Sequence, residues 1–143
     1  MQQLFGWIFL FVPGLLVAGQ LVSVVNFPLA QRLGLQEKAG ASDPMKLRAE
    51  LYAARWDLVV LIWLPVAGAL MVLDHGWWQT LCLVGGAVYV DAAGREAAKV
   101  LGMKAGGVGV GTPAEQALMF GAYVLMGALG LLAIAIALVI PGR

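Results

Sequence analysis

Charged side chains are scarce in this sequence. Lys, Arg, Asp and Glu together make up only 12% of the 143 residues, whereas hydrophobic residues make up 62%. Soluble domains are about a quarter charged and about half apolar, so this composition excludes an ordinary soluble domain. The net charge is only +1, and acidic residues are interspersed among the basic ones. That balance excludes the strongly basic surface typical of nucleic-acid-binding proteins. The sequence therefore predicts a membrane protein that binds no nucleic acid.

Cysteine and histidine are almost absent as well. The single Cys82 has no partner within the chain for a disulfide, and the single His75 lies in the short polar stretch DHGWW at 74–78. A metal or haem site needs several ligands placed together, and one histidine in a turn does not supply them. The sequence therefore identifies no metal site and no cofactor, although a bound lipid is compatible with it.

Long apolar runs are what the chain has in abundance. Four of them, at about 4–27, 56–73, 77–99 and 114–140, are separated by polar breaks. Each is close to the ~20 residues that an α-helix needs to cross ~30 Å of hydrocarbon. The opening MQQLFGW has no basic residue, so we do not interpret the first run as a cleaved signal peptide. We predict an all-α protein with a single domain over residues 1–143, built as a bundle of four transmembrane helices.

The basic residues are distributed unevenly along the chain. If successive helices alternate in direction, the connections 28–55 and 100–113 share one side of the membrane, and eight of the nine Lys and Arg residues lie in or beside them. These eight are Arg32, Lys38, Lys46, Arg48, Arg55, Arg95, Lys99 and Lys104. Because positively charged loops stay on the cytoplasmic side, we predict that both termini and the 74–76 turn face outward.

Short motifs predict where the helices begin and turn. Asp43 before Pro44 has the pattern of a capping residue followed by proline at a helix N-terminus, and Pro113 marks the start of the last helix in the same way. The stretch 74–76 leaves room only for a tight turn, so its flanking helices form an antiparallel hairpin. The connection after the first helix opens with PLAQRLGL, 28–35, which predicts a short amphipathic turn at the membrane interface.

Small residues recur four positions apart, a spacing that permits neighbouring membrane helices to approach closely. They are Ala117 and Gly121, Ala133 and Ala137, and Gly94, Ala98 and Gly102. The spacing is common in membrane helices, and it does not identify the partner helix.

A charged stretch interrupts the third apolar run and is the first candidate site. Asp57 and Arg95 lie at similar distances from the 74–76 turn, at the inner boundary of the hydrocarbon, and Asp91 is four residues before Arg95 on one helical face. We predict a cross-hairpin cluster in which Asp57 and Asp91 neutralise Arg95 and Arg55, with Glu96 and Lys99 more exposed. The full candidate cluster is Arg48, Tyr52, Arg55, Asp57, Asp91, Arg95 and Glu96. It is either a structural ion cluster or a headgroup or ligand site.

Three polar residues in the first helix form the second candidate. Gln20, Ser23 and Asn26 are spaced by three and lie roughly on one helical face. They either form hydrogen bonds between helices, as polar residues in membrane bundles commonly do, or line a ligand cavity.

Two short motifs resemble a known group of proteins. LRAELYAA at 47–54 and GGAVYVDAAGREAAKVLG at 85–102 resemble small bacterial four-helix membrane proteins distantly grouped with DoxX. In them a segment with Arg, Tyr and two small residues opens the second helix, and Gly-Arg ends the third. The matching positions here are Arg48, Tyr52, Ala53, Ala54, Gly94 and Arg95. The resemblance implies a four-helix membrane fold, a location in the inner membrane of a bacterium, and no established activity.

A weaker similarity is to the membrane-bound glutathione-transferase and eicosanoid-synthesis family. Its members are also four-helix chains of this size with outward N-termini and an Arg-rich inner site. This similarity implies an enzyme that acts on a lipophilic substrate with an anionic cosubstrate such as glutathione, for which Arg48, Arg55 and Arg95 would provide the positive charge.

Two functions from different classes therefore remain open. The first is a non-catalytic protein, either an accessory or assembly subunit of a larger membrane complex or a lipid-binding module. Its partners would be membrane lipid and either other membrane subunits or further copies of the chain. The second is the enzyme just described. Because the sequence contains no recognisable pair of nucleophile and base, we favour the first.

Overall fold

The described part of the chain is mostly helical and contains no β-strand. The computed structural model describes residues 1–38, 40 and 42–140, and the predicted all-α fold is confirmed there. The helices, numbered in chain order, are α1 Gln2–Val25, α2 Phe27–Arg32, α3 Pro44–Val60, α4 Trp63–Val72, α5 Trp78–Ala105 and α6 Pro113–Val139. Within these residues, β-type pairing occurs at one isolated antiparallel bridge, between Ser42 and Val110.

Three helical rods of the described chain are long and apolar enough to cross a membrane. They are α1, the 29-residue rod Pro44–Val72 that α3 and α4 form together, and α6. These rods indicate a membrane protein. Helix α5 is 28 residues long but is not one of the three, and its second half carries the charged residues Asp91, Arg95, Glu96 and Lys99.

A short irregular step at 61–62 separates α3 from α4. Pro65 in the first turn of α4 has no amide hydrogen to donate to the Leu61 carbonyl, four residues earlier. The buried Tyr89 hydroxyl of α5 donates to that carbonyl instead, at 3.1 Å. A side chain from the neighbouring helix thus satisfies the backbone group that the proline leaves unpaired, and this bond fixes α5 against the step.

The predicted helix starts are confirmed. The Asp43 carboxylate accepts a hydrogen bond from the Met45 amide at 2.8 Å, and α3 begins at the residue between them. Thr112 and Glu115 form a capping box at the start of α6. The Thr112 hydroxyl accepts from the Glu115 amide at 3.3 Å, and the Glu115 carboxylate accepts from the Thr112 amide at 2.8 Å. Residues 73–77 form the turn between α4 and α5.

Glycines make the closest contacts between the rods. A Cβ atom on Gly68 of α4 would lie 2.7 Å from the Gly6 carbonyl oxygen of α1. A Cβ atom on Gly86 of α5 would lie 2.7 Å from the Gly130 carbonyl oxygen of α6. Real Cβ atoms do not come so close to backbone oxygen, so any larger residue at these positions would push the helices apart.

The predicted small-residue spacings fall on different faces of their helices. Ala133 and Ala137 are buried in the contact with α5. Gly94, Gly102 and Gly121, in contrast, have no atom within 4 Å of the Cβ position. A close helix contact at these three glycines would have to involve another molecule.

The rods pack mainly in chain order. α1 packs on α3 and α4, α4 packs on α5, and α5 packs on α6, whereas α1 and α6 touch at only a few positions. The core lies along these contacts, with Phe9, Met71, Trp78 and Tyr89 among its large buried side chains. Helices α1 and α6 lie at the two ends of this series, and both keep broad apolar faces exposed.

Candidate functional site

The polar side chains concentrate at one end of the bundle, which we term the connection end. It holds the chain segments that join α1 to α3 and α5 to α6. These two segments contact each other, because the Asp43 amide donates to the Gly109 carbonyl at 3.1 Å and the Lys38 amide donates to the Glu115 carboxylate at 3.1 Å. The two connections therefore form one continuous surface.

A buried lysine lies beneath this surface. The side chain of Lys46 in α3 is 1% exposed, and its Nζ lies 2.5 Å from Glu37 Oε1 in the preceding connection. The Ser42 hydroxyl donates to the other oxygen of the same carboxylate. Removing one member of such a buried pair leaves an unpaired charge without water, which is strongly destabilising. The contact therefore fastens the connection to α3.

Helix α5 joins the same network through a second lysine. Lys99 Nζ lies 3.2 Å from Glu50 Oε1 of α3, and Lys99 also pairs with Glu96 one turn earlier. Glu50 Oε1 is 3.8 Å from Lys46 Nζ as well, and it receives no aligned hydrogen bond from the described residues. Its contacts with the two lysines are therefore those of neighbouring charges. We refer to Glu37, Lys46, Glu50, Glu96 and Lys99 as the ion network.

The predicted cross-hairpin cluster is only partly assembled. Arg95 Nε lies 3.9 Å from Asp91 Oδ2, but the two side chains are 48% and 72% exposed. Glu96 and Lys99 are only 16% and 25% exposed, so the prediction that they are the more exposed pair is wrong. Counting residues from the turn gave the depth of these charges along α5 but not the face of the helix on which each one lies.

The other members of the predicted cluster form no ion pair within 4.0 Å with the ion network among the described residues. Arg48, Tyr52 and Arg55 are exposed on α3 at positions that share one helical face. The Arg55 guanidinium carbon lies 5.3 Å from the centre of the Tyr52 ring, which is a cation–π contact. Asp57 is half-buried, and within the described chain it forms no ion pair with Arg55 or Arg95 within 4.0 Å. The predicted neutralisation of these arginines by Asp57 is therefore not observed there.

Sequence reasoning missed Glu37, Lys46 and Glu50 as members of a site. One signal was present, because Lys46 and Glu50 are four apart and so lie on one face of α3. No sequence signal placed Glu37 beside Lys46, since their contact depends on the path of the connection between them.

The polar residues of α1 have separate roles. The buried Ser23 hydroxyl donates to the Gly19 carbonyl at 3.0 Å and accepts from Gln36 Nε2 at 3.2 Å. Asn26 Oδ1 accepts from the Leu29 amide at 3.0 Å and thereby caps α2. Gln20 Oε1 is buried and has no hydrogen-bond partner among the described residues. Ser23 and Asn26 therefore position the connection that follows α1.

A shallow cavity of about 250 Å³ lies on this connection, lined by Pro28, Gln31, Arg32 and Lys38. A second one, of about 380 Å³, lies at the opposite end of the bundle beside Gln2, whose amide donates to the Met71 carbonyl and to Asp74 Oδ1, both at 3.1 Å. Within the described residues, no three His, Cys, Asp or Glu side chains are placed to hold a metal ion.

Comparisons with family models, curated proteins and solved structures find no match to this chain. The two resemblances described from the sequence therefore stay predictions, and the functional argument depends on the geometry of the chain itself.

Proposed function

We propose that this chain is a multi-pass protein of the bacterial inner membrane, in which α1, the α3–α4 rod, α5 and α6 all cross the lipid. Helix α5 is the rod whose crossing needs the most support. It packs between α4 and α6, and its 28 residues extend about 42 Å at 1.5 Å per residue. A helix of that length can cross ~30 Å of hydrocarbon and still carry its charged end into water.

The basic residues support an orientation with the connection end in the cytoplasm. Arg32, Lys38, Arg48 and Lys104 are all exposed at or beside the two connections. Positively charged segments between membrane helices are retained on the cytoplasmic side. Both termini would then face outward.

We infer a non-catalytic role, as an accessory or assembly subunit of a larger membrane complex, and one observation carries this inference. Along α6, exposed positions alternate at intervals of three and four over the whole helix. The series is Ala114, Ala117, Gly121, Val124, Ala128, Leu131, Ala135 and Leu138. We term it the α6 seam. It is the heptad spacing by which one helix packs along another.

The residue types of the α6 seam favour a protein partner over lipid. Every second member is alanine or glycine, and small residues let helix backbones approach closely in a membrane. Large side chains of α6, such as Leu118 and Leu125, are exposed beside the seam rather than at every position of it. The exposed face of α1 follows the same spacing but carries mostly large side chains, such as Leu4, Trp7, Phe11 and Leu15. Acyl chains cover such a face without requiring a close fit. We therefore assign α6 to the partner and α1 to the lipid.

A matched pair of substitutions tests this assignment. The full chain with Ala128→Leu on α6 or Ala18→Leu on α1 is extracted from native membranes in a mild detergent, and the mass and composition of the complex are measured. Both alanines are exposed, and both changes add the same apolar volume. Overpacking a close contact costs about 1–3 kcal/mol, so Ala128→Leu should shift the complex towards the free chain by about fivefold or more. Ala18→Leu should leave it unchanged. Equal effects of both, or of neither, would contradict the α6 assignment.

The enzyme remains a second proposal, supported by the exposed arginine pair on α3. Arg48 and Arg55 share one face with Tyr52 between them, an arrangement that suits an anionic cosubstrate such as glutathione. Saturable binding of glutathione to the purified chain, lost in Arg48→Gln, would favour this enzyme. Its absence at millimolar glutathione would leave the subunit proposal as the better account.

A further inference from the structure

The cavity on the first connection has the composition of an anion site. Two of its four lining side chains, Arg32 and Lys38, are cationic, and a third, Gln31, is an amide. Neither cation forms an ion pair with any acidic side chain in the described part of the chain. The other three lysines have partners, since Lys46 and Lys99 belong to the ion network and Lys104 donates to Gln116 Oε1 at 3.0 Å. The Glu115 carboxylate accepts from the Lys38 amide, and the Lys38 charge acts on it. Neither cation is neutralised by a direct ion pair, so both can contact a ligand.

The backbone beneath the cavity is held at both ends of α2. Asn26 caps the N-terminus of the helix. At the C-terminus, the Gly34 amide donates to the Gln31 carbonyl and the Leu35 amide to the Ala30 carbonyl, with Gly34 at a φ of 74°. This pair of bonds is a Schellman motif, in which glycine readily adopts the left-handed conformation.

Contacts outside α2 fix the cavity further. Ala30 lies on the inner side of α2 and is fully buried. Gln31 Nε2 donates to the Glu37 carbonyl at 2.6 Å, and the Lys38 amide donates to the Glu115 carboxylate at 3.1 Å. The segments that carry Arg32 and Lys38 are thus held relative to each other before any ligand binds. Such preorganisation lowers the cost of binding.

Apolar side chains surround the cations on the outer surface of the connection. Leu29 is 41% exposed, Leu33 is 60% exposed and Leu35 is 47% exposed. A free anion gains nothing from exposed leucines. A phospholipid presents both a phosphate for the cations and acyl chains for the leucines, which is how interfacial amphipathic helices bind membranes.

We propose that Arg32 and Lys38, with Gln31, bind the phosphate of an anionic phospholipid such as phosphatidylglycerol, whose acyl chains lie along Leu29 and Leu33. This inference rests on the proposed membrane location. It gives the chain a specific headgroup site on the cytoplasmic side, in addition to the proposed assembly role of α6.

The test uses the full chain in nonionic detergent, with native mass spectrometry to measure retention of added phosphatidylglycerol and phosphatidylcholine. A basic residue near an anionic membrane contributes about fivefold in affinity. Arg32→Gln and Lys38→Gln should therefore each weaken phosphatidylglycerol binding by about fivefold, and the double variant by about thirtyfold. Lys104→Gln is the matched control, because Lys104 is an exposed cation at the same end of the bundle. It should leave the affinity unchanged.

Three results would overturn the proposal. The first is equal retention of the two lipids by the unmodified chain, and the second is an equal loss in the Lys104→Gln control. The third is competition by inorganic phosphate at the same concentration as the lipid, which would assign the site to a free anion. A failure of the proposed membrane location would be distinguishable from these three results, because the unmodified chain would then be recovered in the soluble fraction without detergent.

Discussion

Removing the buried lysine of the ion network should be the most damaging single change at the connection end. Lys46→Met keeps a similar apolar stem but leaves Glu37 with no cation, and Glu37 is only 9% exposed. At ~4 Å and an effective dielectric of ~20, the attraction between two unit charges is about 4 kcal/mol. Measured losses on breaking buried pairs are about 3–5 kcal/mol, so we expect a loss in that range in the free energy of unfolding, followed in mixed micelles.

Two further variants determine whether the loss comes from the charge pair. In the double variant Lys46→Met with Glu37→Gln, no unpaired charge remains between the two positions, and the Ser42 hydroxyl still has an oxygen to donate to. The double loss should be smaller than the sum of the single losses by about 2–3 kcal/mol, as for residues in direct contact. Asp91→Leu with Arg95→Leu is the exposed comparison, and that pair should contribute only about 0–1 kcal/mol. Additive losses for Lys46 and Glu37 would refute the reasoning.

Two predictions concern contacts between the helices, and both are checked by the same unfolding measurement. Tyr89→Phe should lose about 1–3 kcal/mol, because the buried Leu61 carbonyl would lose its donor. Tyr123→Phe should cost less, since its hydroxyl makes no hydrogen bond within the described chain; equal losses would contradict this role for Tyr89. Gly86→Ala should destabilise the protein by forcing α5 from α6, whereas Gly94→Ala, in open space, should be neutral or stabilise the helix by up to about 1 kcal/mol. A neutral Gly86→Ala would mean that the close approach is absent.

Local chemistry in the sequence was enough to predict the long helices and the starts of α3 and α6, but not the step at 61–62 that divides α3 from α4. The apolar runs have the length of membrane helices, and the starts at Pro44 and Pro113 depend on neighbouring residues only. Asp43 caps α3 and Thr112 caps α6 within three residues along the chain. Such interactions can be predicted from sequence because both partners are close in the chain.

The candidate site was harder to predict, because its contacts join residues that are distant in sequence. The contact between Lys46 and Glu37 and the contact between Lys99 and Glu50 depend on which faces of α3 and α5 point inward. Neither helix has a strong separation of apolar and polar faces, so periodicity did not identify the inward face. The same difficulty applies to small residues. Gly86 and Gly94 both lie in α5, and only packing shows that Gly86 lies against α6.

The central claim, four membrane crossings with the connection end in the cytoplasm, is tested most directly by cysteine labelling of spheroplasts with an impermeant maleimide. Single cysteines are placed at five exposed positions, Gln3, Met45, Gly76, Val108 and Val139, and the native cysteine is buried. The account predicts labelling at Gln3, Gly76 and Val139 in intact spheroplasts, and at Met45 and Val108 only after permeabilisation. Labelling of Val108 from outside, or protection of Gly76, would contradict the crossing of α5 and the orientation of the whole bundle.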